Sequence, residues 1–266
     1  MSSLAPRNIL QGAHWNYRIL DRVKGDNTHI SNVFKAEVIP RENPHNASKP
    51  PRWAFLKGVL PEDPTAILNL ERELHAYRLP GVASTQCFRK MYDVIDNNTI
   101  ALKWLDTTLA ELKYQPNDIS THSLIVSVLR AALSSCAVLE DSNIVGDLGL
   151  VAPVDHLYNA QPYAMRAPEV FLGQACAEPS QVWAVAAMLL CSIKPGVLGM
   201  WGSYHPLINV PWSMAKVKRL FPDWNIPTPD EDLLRFMLIP DPVERPSALS
   251  LLASRELQAF ENLMGA

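Results

Sequence analysis

The sequence predicts an α+β protein of two lobes: a small β-rich N-terminal lobe with one helix over residues 1–105, and a larger, mainly helical C-terminal lobe over 106–266. Three observations carry this expectation. Short strand-like apolar runs broken by polar turns fill the chain up to Leu105, a single helical period interrupts them, and long apolar segments at helical spacing take over afterwards.

The elements follow in order. Tyr17 to Ile39 contains two β-rich runs around the polar stretch Lys24 to Ser31, which reads as a hairpin. A Pro- and Asn-rich loop, Arg41 to Pro51, precedes the apolar run Trp53 to Leu60, a third strand. From Thr65 to Leu79 the positions Ile67, Leu70, Leu74 and Tyr77 recur at helical spacing, and Pro80-Gly81 stops the run. Cys87 to Ile95 and Thr99 to Leu105 are again strand-like, joined by the turn residues Asp96-Asn97-Asn98. Beyond Leu105, helices are expected over Ser120 to Leu139, Ser180 to Ile193 and Ser247 to Leu263. No internal repeat or low-complexity tract occurs.

Composition narrows the function classes. Hydrophobic residues make up 48% of the 266, enough for a substantial core. Lys plus Arg number 24 against 27 Asp plus Glu, a formal net charge of -3 without a long run of one sign, so neither nucleic acid nor an acidic membrane surface is an expected partner. Cys87, Cys136, Cys176 and Cys191 are scattered without a CxxC pair, as expected of reduced thiols in the cytoplasm or nucleus. The opening MSSLAPRNILQ lacks the form of a signal peptide, and no run reads as the roughly 18 apolar residues of a membrane span, so a soluble, unprocessed chain is expected. His14, His29, His75 and His122 share no metal-ligand spacing, and Trp53, Trp104, Trp183 and Trp201 are expected to pack in cores.

A lysine in the middle of an apolar strand is costly unless its ammonium finds an anion, and Lys57 in Ala54-Phe55-Leu56-Lys57 is such a residue. Glu73, in the helical run LERELHAYRL, is placed to reach back to it. Alone, the two residues read as an edge lysine and a solvated helix carboxylate. The order of the remaining motifs gives them more meaning. Ile100 to Asp106 (IALKWLD) precedes Thr108-Leu109-Ala110-Glu111-Leu112, and Gly146-Asp147-Leu148-Gly149, Met165-Arg166-Ala167-Pro168-Glu169, Gln181-Val182-Trp183 and Glu244-Arg245-Pro246-Ser247-Ala248 follow.

Taken together and in this order, these segments resemble a eukaryotic Ser/Thr-type protein kinase domain over nearly the whole chain. The resemblance implies that Lys57 and Glu73 form the strand–helix ion pair of the nucleotide site. It implies that Lys103, Trp104 and Leu105 line the adenine at the hinge, that Gly25 and Val33 belong to the phosphate-covering loop, and that Asp147 holds Mg²⁺ beside ATP. Glu169 is expected to pair with Arg245.

The sequence departs from that pattern at the chemistry. The catalytic loop of the family reads H-R-D-L-x-x-x-N, yet only Glu140 to Gly146 separate Leu139 from Asp147, fewer residues than the motif itself. Asp141 and Asn143 are the nearest stand-ins, with Asp141 the sole catalytic candidate, and both have the ordinary reading of turn residues after a helix. The stretch Lys24 to Val33 has one glycine where the family has three, and Asp26 adds negative charge there, so ATP binding should be weak. Gln181 replaces the Asp of D-V-W, and Asn225 to Glu231 runs directly into Asp232 to Leu238, a second shortening.

Such shortenings arise from genuine decay or from a gene model lacking segments. Three readings follow: a pseudokinase acting on a protein partner, an active ATP-dependent Ser/Thr kinase with another carboxylate or a restored loop, and a structural interaction module without nucleotide.

Overall fold

The computed structural model describes residues 4–23, 31–41, 49–107, 119–142, 144–145, 152–153, 161–221 and 232–263. It is a mixed α+β protein, and the described residues up to Thr107 form one compact unit while those from Ile119 onward belong to a second.

In the first unit, six antiparallel strands make one sheet: β1 (Ile9–Gln11), β2 (Asn16–Arg22), β3 (Asn32–Ile39), β4 (Trp53–Gly58), β5 (Met91–Asp96) and β6 (Thr99–Lys103), in the order β1-β2-β3-β4-β6-β5. Alternation along β4 buries Ala54 and Leu56 against Tyr17, Ile19, Phe34 and Ala36 of the neighbouring strands. Each fully buried side chain of this size contributes about 1.5–3 kcal/mol. The opposite face of β4 carries Trp53, Phe55 and Lys57. The β5–β6 hairpin turns where expected, with the Asp96 carboxylate accepting the Asn98 N–H at 2.9 Å. Its first strand starts at Met91 and not Cys87, and β1 is an edge strand too short to register as a sequence pattern.

Helix α1 (Pro64–Arg78) starts where Asp63 accepts the Ala66 N–H at 2.9 Å, with Pro64 in its first turn. It ends because Pro80 cannot continue it, and α2 (Pro80–Ser84) begins a new turn. The buried stripe Ala66, Leu70, Glu73, Leu74 and Tyr77 follows the predicted period, with one carboxylate in it.

The second unit is built on α3 (Ile119–Asp141) and α5 (Glu178–Ile193), with α4 (Pro168–Phe171), α6 (Asn209–Leu220), α7 (Asp232–Met237), α8 (Ala248–Leu252), α9 (Arg255–Leu263) and a small hairpin of β7 (Ile144–Val145) and β8 (Ala152–Pro153). Leu129, Leu133, Val182, Trp183, Met237 and Leu257 make its fully buried centre. The single helix expected over Ser247 to Leu263 breaks at Ala253. Ser247 caps the first piece by accepting the Ser250 N–H, and Ser254 caps the second by accepting the Leu257 N–H.

Contrary to the sequence expectation, one helix among the described residues is long and apolar enough to cross a membrane: His122–Asp141 has 20 residues at a mean hydropathy of 1.6. Its Leu129 and Leu133 lie in the core and its exposed Arg130 binds Glu261 of α9, while 33% of the apolar stretch is buried.

Candidate functional site

The pair picked out in the sequence is formed. Lys57 lies on β4 directly opposite Val33 on β3 and Ile100 on β6, and its Nζ donates to Glu73 Oε2 at 2.6 Å. The carboxylate is buried while the lysine side chain keeps 20% of its surface exposed. The alternation of β4 aims Lys57 to the face that α1 covers, and the helical period of α1 puts Glu73 one turn from Leu70 and Tyr77 on its inward stripe.

A second cation near this pair, Arg89, was missed by the sequence reading. The Arg89 guanidinium lies over the Phe55 ring at 4.4 Å. Burial pulls its pKa below the ordinary arginine value, while the charges of Tyr77 and Glu73 oppose that shift. Burial first, and then the Glu73 charge, push the Tyr77 hydroxyl well above the usual phenol range, with Arg89 acting against them. Glu73 is thus ion-paired to Lys57, and the Arg89 charge acts on the same group of residues without a contact to Glu73 among the ion pairs of the described residues.

The other predicted residues are gathered only in part. Val33 is across the ladder from Lys57. Lys103 and Leu105 are exposed and Trp104 is half-buried. The Lys103 N–H is used by the Lys90 carbonyl at 2.8 Å. Lys35 Nζ lies 4.7 Å from the Trp53 ring and 4.6 Å from the Trp104 ring, so these two tryptophans hold a cation on the sheet surface. Asp141 belongs to the second unit, where it ends α3 as an exposed helical residue, and not in the turn after a helix. Gly25, Asp26, Asn143 and Asp147 lie outside the described residues, as do Thr108 to Leu112 and Asn225 to Glu231.

The expected Glu169–Arg245 pair is present and buried. Arg245 Nη1 donates to Glu169 Oε1 at 2.8 Å and Nη2 to Oε2 at 3.1 Å, while Ser180 Oγ donates to Oε1 at 2.7 Å. Arg245 also donates to the carbonyls of Pro179, Ile239 and Pro240, and its guanidinium lies 5.2 Å from the Trp183 ring. With every acceptor and donor matched, this pair ties α4 and α5 to the segment before α8. Gln181, in the place of the D-V-W aspartate, donates to Cys176 Sγ at 3.1 Å.

A buried carboxylate in the first unit escaped the sequence reading. Asp93 on β5 accepts from Tyr17 Oη at 2.5 Å, from the backbone N–H groups of His14 at 3.1 Å and Trp15 at 3.3 Å, and lies 2.6 Å from His14 Nδ1. Burial and the Asp93 hydrogen bond hold the Tyr17 hydroxyl far above the usual range. The cost argument that singled out Lys57 applies equally to an aspartate in the strand Met91–Asp96, so the signal was there. The tryptophan expectation also divides. Trp183 is in the core, Trp53 and Trp104 are half-buried, and Trp201 is 78% exposed.

No protein-family model matches the chain, and no curated protein matches it.

Proposed function

We propose that the chain is a protein-kinase-like pseudoenzyme that acts by binding another protein, and that it retains a weak ATP–Mg²⁺ site without effective phosphotransfer. The observation that carries this reading is the 2.6 Å Lys57–Glu73 pair on a strand–helix frame. The short link between Leu139 and Asp147 removes the chemistry. Within it α3 runs to Asp141 and Ile144–Val145 is paired as β7, so it has no stretch of the length of H-R-D-L-x-x-x-N. Phosphoryl transfer depends on positioning the acceptor hydroxyl and on charge stabilisation, and a chain without the aspartate that receives the hydroxyl loses the first of these.

Lys57 fits a phosphate on its own geometry: one of its N–H bonds goes to Glu73, the side chain is partly open, and β3 brings Val33 beside it. By the resemblance Asp147 would hold Mg²⁺, and Lys103, Trp104 and Leu105 would border the adenine. Bound ATP–Mg²⁺ would supply a fold-stabilising ligand, with Lys57 as the cation that orients its phosphates. The buried Glu169–Arg245 pair supports the same reading as a scaffold feature.

A thermal-shift titration with ATP and Mg²⁺, run beside a radiometric phosphorylation assay at high protein concentration, tests the proposal. The expected result is a melting temperature that rises at millimolar nucleotide, a rise absent in Lys57→Met, and no transfer of label. Clear turnover abolished by Lys57→Met makes the chain an active kinase. No shift at millimolar nucleotide makes it a structural module.

A further inference from the structure

The first unit holds a cation that the Lys57–Glu73 pair does not account for. Arg89, in the loop between α2 and β5, carries its half-buried guanidinium 4.4 Å from the centre of the Phe55 ring. Phe55 and Lys57 are two residues apart on β4 and share one face of the sheet, while Ala54 and Leu56 between them face the core. Arg89 is therefore on the Lys57 side of the sheet. Its charge acts on Glu73 and on Tyr77, which are one turn apart on the inward stripe of α1. Lys57, Glu73, Tyr77 and Arg89 thus form one cluster, drawn from β4, α1 and the loop before β5.

The donors and acceptors of this cluster do not balance. Glu73 accepts one N–H of Lys57, and the lysine has two more. The five N–H groups of Arg89 and the Tyr77 hydroxyl meet no acceptor among the described residues. Among those residues the polar side-chain atoms sealed off without a partner are Asn16 Oδ1, Trp183 Nε1 and Ser213 Oγ. The Arg89 nitrogens and the Tyr77 oxygen are not in that set, so they open onto accessible space.

A guanidinium drawn partly out of water and left without an acceptor carries a cost that an anion would recover. Burial lowers the Arg89 pKa, which is the sign of that cost, and an arginine stays charged throughout. The Phe55 ring holds the guanidinium by a cation–π attraction of about 0.5–2 kcal/mol, so it is positioned before any ligand arrives.

Two different cations on one face also select the kind of anion. Lysine offers a point charge, whereas the planar fork of arginine takes a phosphate through two parallel hydrogen bonds. A single carboxylate needs only one of them, and Glu73 already supplies it to Lys57. Charges on adjoining phosphates meet both.

We propose that Arg89 is a second phosphate-binding cation beside Lys57, and that the cluster takes an oligophosphate group, one phosphate on Lys57 and the next on the Arg89 fork and the Tyr77 hydroxyl. This rests on the phosphate role given to Lys57 above and adds that the phosphate chain, more than the base, supplies the affinity.

The test is isothermal titration calorimetry of the full chain with inorganic phosphate, inorganic tripolyphosphate, adenosine and ATP–Mg²⁺. The wild type is compared with Arg89→Gln, Arg89→Lys and Phe55→Leu. Wild-type chain should bind tripolyphosphate more tightly than phosphate, and adenosine least. Arg89→Gln should weaken tripolyphosphate roughly tenfold while leaving inorganic phosphate nearly unchanged, so that the preference for the longer chain shrinks. Arg89→Lys, a charge without the fork, should recover part of the loss, and Phe55→Leu, which keeps the charge and removes the ring beneath it, should lie between. Added salt should weaken the wild type more than Arg89→Gln. Melting temperatures without ligand check that each variant is folded, and Arg89→Lys carries the comparison if Arg89→Gln is not.

Tripolyphosphate binding that is the same in Arg89→Gln as in the wild type overturns the proposal, as does an equal loss for all four ligands, the result of a purely structural arginine. If ATP binds and Arg89→Gln binds it as tightly, this inference fails while the ATP reading stands. If tripolyphosphate binds through Arg89 and ATP does not, the phosphate cluster stands and the nucleotide is removed from the proposed function. A wild type that binds neither ends both.

Discussion

At the Lys57–Glu73 pair the residue-scale balance is unequal. The carboxylate is buried and has Lys57 at 2.6 Å, while the lysine side chain keeps 20% of its surface exposed. Lys57→Met, which leaves a buried carboxylate without its partner, is therefore expected to cost about 3 kcal/mol of unfolding free energy, and Glu73→Ala, which leaves a partly solvated ammonium, about 1–2 kcal/mol. Urea unfolding of the two variants decides this, and the reverse order would refute it. Asp93 follows the same rule without a full ion pair, since four donors converge on one buried side chain. It joins the β1–β2 turn to β5 across a long stretch of sequence, and Gly12 is held there because a Cβ would lie 2.5 Å from the Asp93 carboxylate. Lys57 was legible because a charge in an apolar strand is conspicuous and because the family resemblance supplied its partner. Arg89 was not legible, because it precedes a strand in a polar stretch and only folding brings it over Phe55.

At the scale of elements, the ends of helices carry the polar groups that hold the second unit together. Glu178 in the first turn of α5 accepts the Ala248 N–H that opens α8. Burial is the largest influence on its pKa and raises it. The Ala248 hydrogen bond opposes that shift, and the nearby Glu140 charge adds to it. A carboxyl whose folded pKa is raised contributes stability that is complete below the ordinary carboxylate value of about 4.3 and is lost as pH rises through the folded value. Glu178→Gln keeps an acceptor for Ala248 and has no charge to bury. Its unfolding free energy should therefore gain on that of the wild type as pH is taken from about 4 to 7. Urea titrations across that window check the sign, and a difference that stays flat with pH refutes it. The helical periods of α1, α3 and α5 were readable before folding, because each repeats its apolar spacing over several turns. The break between α8 and α9 was not: Ser254 is an ordinary polar residue until its hydroxyl caps Leu257.

For the molecule as a whole, the decisive fact is that each unit has a hydrophobic cluster of its own among the described residues, one centred on Tyr17, Ile19 and Leu56, the other on Leu129, Leu133 and Trp183. Leu56→Ala and Leu133→Ala should each cost about 2–5 kcal/mol, and the double variant should lose their sum to within about 0.5 kcal/mol, because the two residues belong to different clusters among the described residues. A larger coupling energy in urea unfolding would show that the cores act as one. The amino-acid order alone determined the α+β class, the strand and helix alternation on either side of Leu105 and the shortness of the link before Asp147, and the Lys57–Glu73 and Glu169–Arg245 partners came with the resemblance that the motifs carry. These are properties of local period, of spacing along the chain and of motifs in a recognisable order. Only the tertiary structure decided that Asp93 gathers His14, Trp15 and Tyr17, that Arg89 lies over Phe55, that α3 gives Leu129 and Leu133 to a core and that Trp201 faces solvent. In each case burial and partner depend on distances through space between residues far apart in sequence, and composition carries no record of those distances.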